Sequence, residues 1–236
     1  MMRRLSWKQH FALLLVGAAF AAVISMGVVA SAHPHDEYYN AHWGQGALEG
    51  GIDWRFASDF PSGDGIRERI KDAAARWNNQ NQSLMFDYEA SQPDYDAFPF
   101  ASCPPLDKPE KNAIHWGEVD PGIGVTSLCT FAEAGGESTA TYHSFQIKMD
   151  STVDWYTGAD APGYNDTDIQ APATHEFGHA TGREVGGAGM GHFDKDWDVC
   201  AGTEQAHHTM CPTVFTNTWW DRTLNDHDKD VFDGKY

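Results

Sequence analysis

Residues Thr174 to Asp194 read THEFGHATGREVGGAGMGHFD, and the fold turns on how this stretch is read. His175 and His179 stand four residues apart. On a helix that spacing puts both imidazoles on one face, a turn from each other, where they can clamp a single metal ion. Glu176 follows His175 directly, so its carboxylate lies beside the pair and can act on a water there without being a ligand itself. With twelve His and eleven Glu in the chain, chance yields roughly 0.03 occurrences of H-E-x-x-H, and about a tenth of that once a Gly is required three residues later. Coincidence therefore explains the run poorly, although a lone helical His would be structural by default. The helix is expected from about Asp168 to Thr181. Asp166 or Asp168 is placed to cap it, Pro172 is tolerated in its first turns, and Gly182 is a natural stop.

HEFGHATG, a later His, and TMCPT around Met210 together resemble the metzincin clan of zinc endopeptidases and are most similar to its matrixin branch. That clan carries H-E-x-x-H-x-x-G-x-x-H followed downstream by a methionine turn beneath the metal. The resemblance implies that His175 and His179 are zinc ligands, Glu176 the general base, Gly182 the point where the chain turns back, and Met210 the turn methionine. Its specific motifs cover about forty residues, Thr174 to Val214.

The chain departs from the pattern at the third ligand. Val185 stands where the clan has His, and the next histidine is His192, ten residues after Gly182. Lengthening a flexible connection from three to ten residues costs about 1 kcal/mol, whereas zinc contributes roughly 10 to 16 kcal/mol in small structural sites. The glycine-rich insertion is thus affordable, and Gly191 gives the backbone latitude to present the next imidazole. His192 is the expected third ligand, with Asp194 the next candidate because carboxylates also bind zinc. His207 and His208 read as solvated loop. Pro212 stands where the astacin and serralysin branches have a tyrosine ligand, so none is expected. Cys103, in SCPPLDKP, lies well inside the mature domain, which argues against latency by a propeptide cysteine.

Outward from the motif, the chain reads as an α/β mixture without repeats. Ile52, Trp54 and Phe56 alternate as in a half-buried strand, after a lead that reads as merely polar. Ile66, Ile70, Ala73, Ala74 and Trp77 recur at helical steps, with Asp64 placed to cap. That stripe is core. Leu84, Phe86 and Tyr88 suggest a second strand, Ile114 and Trp116 a third, and Thr126–Ala132 and Tyr142–Met149 two more. Asp150 to Asp168 is long and polar, suited to wrapping the surface or holding an ion. Asn225 is placed to cap a last helix with Val231, Phe232 and Tyr236 facing inward.

Residues 1–32 read as a secretory signal peptide. Arg3, Arg4 and Lys8 precede the apolar run Phe11–Ala30, and Ala30, Ser31 and Ala32 form an A-x-A cleavage signal. The rival is an uncleaved anchor of about 20 residues. Cleavage would take the net charge from −18 to −21 by removing three basic residues. So acidic a chain repels phosphate backbones and anionic lipid, which argues against nucleic-acid partners and lasting membrane association. Four cysteines in an exported chain point to disulfides, with Cys103–Cys129 and Cys200–Cys211 favoured as the local pairings. Two acidic runs, Asp194/Asp196/Asp198 and Asp226/Asp228/Asp230, imitate an EF-hand but carry Val199 and Val231 where it requires glycine. They read as solvated surface, while the clan resemblance leaves room for calcium.

The expectation is therefore an α+β, metzincin-like zincin domain over 33–236. Its twisted, mostly parallel sheet and active-site helix form an upper part (33–182), above a small C-terminal subdomain (183–236). The expected activity is that of a secreted, extracellular, monomeric zinc endopeptidase acting on protein or peptide substrates, with Pro212–Phe215 walling the pocket beyond the scissile bond. The alternative is a non-catalytic binding or adhesion protein on the same fold.

Overall fold

The computed structural model describes residues 42–43, 50–80, 86–103, 111–120, 122–132, 140–163, 166–181, 209–210, 222–224, 226 and 228–229. All lie within one compact unit, Asp36–Tyr236; a second unit, Met1–His35, lies outside the described residues. Among the described residues no helix is long and apolar enough to cross a membrane.

The architecture is α+β. Six strands form the main sheet: β1 (His42–Trp43), β2 (Ile52–Phe56), β3 (Phe86–Tyr88), β4 (Ala113–Gly117), β5 (Gly124–Ala132) and β6 (Ala140–Asp150). Four of the five pairings are parallel. β2 lies between β3 and β4, and β6 takes β4 and β1 along successive stretches. β5 alone runs antiparallel, against β6, with an irregularity between Cys129 and Thr130. Among the described residues β5 has a strand on one side only.

Alternation explains the strands. In β2 the apolar residues Ile52, Trp54 and Phe56 are buried while Asp53 is exposed. They face two helices, α1 (Asp64–Asn78) and α2 (Gln170–Ala180). Helix α1 buries Ile70, Ala73, Ala74 and Trp77 on the stripe read from the sequence; full burial of a side chain such as Ile70 stabilises by about 1.5–3 kcal/mol. Asp64 does not serve as its cap. Gly63 occupies the cap position without a side-chain bond, and Asp64 is already the first helical residue. At the other end Asn78 takes the place of a strand neighbour, bonding both the Phe86 N–H (2.7 Å) and the Phe86 carbonyl (2.9 Å). The core closes around Phe177 of α2, whose ring lies 5.2 Å from Phe86, 5.4 Å from Trp54 and 5.9 Å from Phe145.

The other face of the sheet is covered by the loop leading to Cys103. Gln146 on β6 accepts from the Ala101 N–H and donates to the Ser102 carbonyl, both at 2.8 Å. The Phe98 ring stands edge-on to His115, 4.7 Å away. Cys103 is disulfide-bonded to Cys129 of β5, as the sequence suggested; Cys200 and Cys211 lie outside the described residues.

Two further readings change. The lead before β2 contains β1, whose Trp43 is fully buried. The long polar segment is partly regular: β7 (Trp155–Tyr156) pairs in parallel with β8 (Thr167–Asp168). Most of 183–236, including the proposed last helix's Asn225, Val231, Phe232 and Tyr236, lies outside the described residues.

Candidate active site

Helix α2 is buried along nearly its whole length, so its position is set by contacts on every side. At its start the Asp168 carboxylate accepts from the Ala171 N–H (2.8 Å) and from Arg222 Nε (3.0 Å), making Asp168 the capping carboxylate of the two the sequence offered. Arg222 also donates to the carbonyls of Ala159 and Gly158, at 2.9 and 3.0 Å. Asp166 instead accepts from the Gly163 N–H. Midway along, the Trp77 indole of α1 donates to the Thr174 carbonyl (2.9 Å), and at the end Trp43 donates to the Ala180 carbonyl (2.8 Å). The helix stops with Thr181, whose N–H is shared between the Phe177 and Gly178 carbonyls and whose hydroxyl also bonds Gly178. Gly182, the expected stop, lies outside the described residues.

The glycine inside HEFGH has a packing reason. A Cβ at Gly178 would lie 2.7 Å from Trp77 Cζ2 and would run into the Met210 sulfur. Met210, fully buried, is therefore seated directly against the motif helix.

His175 and His179 turn toward each other, with their Nε2 atoms 3.0 Å apart. His175 Nδ1 lies 2.6 Å from the Thr209 carbonyl. A carbonyl only accepts, so Nδ1 carries the proton, and a neutral His175 then presents a bare Nε2 lone pair to the space it shares with His179. An imidazole fixed through its far nitrogen is the usual state of a metal ligand. The separation is a few tenths of an ångström short of the roughly 3.3 Å between two nitrogens each about 2.0–2.1 Å from one tetrahedral zinc ion, so a slight parting of the rings lets the two donors fit such an ion. The bland alternative is a hydrogen bond from His179 Nε2–H to His175 Nε2. Thr209 is itself held: its N–H donates to Asp228 (3.1 Å) and its hydroxyl to the Thr223 carbonyl (3.1 Å).

Glu176 is buried, 4% exposed. Its Oε2 accepts from the Thr126 hydroxyl of β5 at 2.6 Å, and the same hydroxyl lies 3.0 Å from the Glu176 carbonyl. Burial pushes its carboxyl up to about 7, against the opposing pull of the Thr126 hydrogen bond. A carboxylate placed near neutrality by its surroundings is suited to exchanging protons.

The structure thus brings together His175, Glu176, His179 and Met210. His192 and Asp194, read as candidates for the third ligand, lie outside the described residues, as do His207, His208 and Pro212–Phe215. No group of three or more potential ligand side chains is found among the described residues. Sequence reasoning missed Gly124, which lies against Glu176, and Thr126 and Thr209; it read Asp228, within its acidic run, as solvated surface, whereas Asp228 is fully buried. The first three meet the motif from at least 34 positions away and Asp228 through Thr209, and no local pattern marks these contacts. No protein-family model matches the chain, and no curated protein matches it.

Proposed function

We propose that the chain is a secreted zinc endopeptidase with a metzincin-like catalytic domain. The observation that carries this reading is the pair of imidazole Nε2 atoms 3.0 Å apart, with the motif's glutamate buried alongside on the same helix. His175 and His179 would hold the ion, with His192 or Asp194 completing the set. Zinc would supply Lewis acidity toward a water and toward the scissile carbonyl. Glu176 takes the proton of the attacking water and passes it to the leaving amine nitrogen. Thr209 keeps His175 in the tautomer whose Nε2 carries no proton. The side of β5 that has no strand neighbour among the described residues receives the peptide in extended form through backbone hydrogen bonds, leaving side-chain preference to the surrounding loops.

The test is Glu176→Gln in the mature chain beside His192→Ala. Glu176→Gln is expected to keep one zinc per chain while peptide-library cleavage falls by about 10²- to 10⁴-fold. His192→Ala is expected to lower zinc affinity; unchanged affinity moves the third ligand to Asp194 or beyond. Full cleavage by Glu176→Gln refutes the role given to it. A wild-type chain that binds peptides without cutting them, with or without a chelator, points instead to an adhesion protein on this fold.

A further inference from the structure

Strands present every second residue to the same face. In β5, Gly124 is paired with Met149 and Thr126 with Ile147, both core residues of β6, so Gly124 and Thr126 share the face turned toward α2. Both meet Glu176. A Cβ at Gly124 would lie 3.0 Å from Glu176 Cγ and 3.0 Å from Oε1, close enough that the glutamate would have to shift to admit it. Thr126 Oγ1 stands 2.6 Å from Oε2. One position makes room for the carboxylate and the next on that face grips it.

We propose that Gly124 and Thr126 are positioning residues that set the orientation of the Glu176 carboxylate, an inference that rests on the endopeptidase reading. A threonine hydroxyl has one proton to give. Of its two acceptors, the shorter contact is to Oε2; the Glu176 main-chain carbonyl, 3.0 Å away, keeps the hydroxyl beside the helix. Oε2 is committed to Thr126, and proton exchange with the reacting groups falls to Oε1, the oxygen lying against Gly124. The same strand then does two jobs in that reading, receiving the peptide along the side with no strand neighbour among the described residues and aiming the base with its inner face.

Thr126→Val keeps the shape and removes the donor, whereas Thr126→Ser keeps the donor. Thr126→Val is expected to lower kcat about 10²-fold, the scale of a misplaced catalytic group, with KM and zinc affinity within about twofold of wild type. Thr126→Ser is expected to restore kcat to within about threefold, and Gly124→Ala to lower kcat by crowding Oε1. In metal-free, glutamate-labelled protein the ¹³Cδ resonance of Glu176 is expected to move in Thr126→Val and return in Thr126→Ser. Wild-type kcat together with an unmoved resonance in Thr126→Val overturns the proposal. Equal losses in Val and Ser also overturn it, since the hydroxyl would then be irrelevant. If the wild-type chain cleaves no peptide, the endopeptidase reading fails by itself, and the resonance still decides whether Thr126 orients the carboxylate.

Discussion

Gly178 shows how one residue can serve both the motif and the core. In H-E-x-x-H the two intervening positions are chemically free, yet here the second must have no side chain, because Trp77 and Met210 occupy the space a Cβ would take. Alanine is a better helix former than glycine by about 1 kcal/mol. In an open helix the substitution would therefore stabilise. Here Gly178→Ala is expected to destabilise by about 1–3 kcal/mol, the usual cost of overpacking, measured as a shift in the urea midpoint at constant slope. A gain in stability would mean that Met210 gives way freely and does not brace the helix. The motif residues themselves were legible because their geometry is local: four positions on a helix fix two side chains on one face whatever the rest of the chain does. Thr126 was not legible. Nothing in GVTSLC distinguishes a threonine that grips a glutamate 50 positions away from one that merely favours a strand.

The elements follow the same division. The stripe of α1 and the alternation of β2 could be read because each side chooses between core and solvent at every step. β1 was missed since two residues carry no period, though its Trp43 ties down the end of α2. Asp64 was misread as a cap because residue type says which side chains can cap but not where the first turn begins. The contact between α2 and the short 209–210 segment was equally hidden. Asp228 holds the Thr209 N–H, and the Thr209 carbonyl holds His175 Nδ1, so a buried carboxylate 53 positions beyond the histidine helps fix which nitrogen is bare. Asp228→Ala is expected to weaken zinc binding about 10- to 100-fold, the scale seen when partners of ligating histidines are removed. Asp228→Asn, which keeps a carbonyl acceptor, is expected to bind nearly as wild type. Competition with a chromogenic chelator measures both, and equal affinity in Asp228→Ala would show that His175 keeps its orientation without this support.

Across the whole molecule, the α+β mixture was legible from the strand and helix signals, while the mostly parallel sheet was expected from the resemblance. The antiparallel run of β5 was not drawn, although the connection from Ala132 to Ala140 is too short for a parallel crossover, which takes a dozen or more residues. The Cys103–Cys129 bond was legible from loop length, and it joins the loop covering the outer face to that same strand. Closing a loop with a sequence separation of 26 stabilises by about 3.5 kcal/mol in the chain-entropy account. The double variant Cys103→Ala/Cys129→Ala is accordingly expected to lose about 3 kcal/mol, measured by urea unfolding against the oxidised protein. A loss near zero would mean that the outer loop is anchored by Gln146 and the Phe98–His115 packing alone.

Among the described residues the outer rim of β5 has no neighbouring strand; a rim of that kind will zip up with any stretched-out chain of suitable shape, and every other molecule of this protein carries the same one. The surplus of negative charge, −18 over the full chain, keeps like molecules apart in dilute buffer. Salt shortens the reach of that repulsion to about 8 Å under physiological conditions, so crowded, saline surroundings are where edge-to-edge stacking between copies would be least opposed.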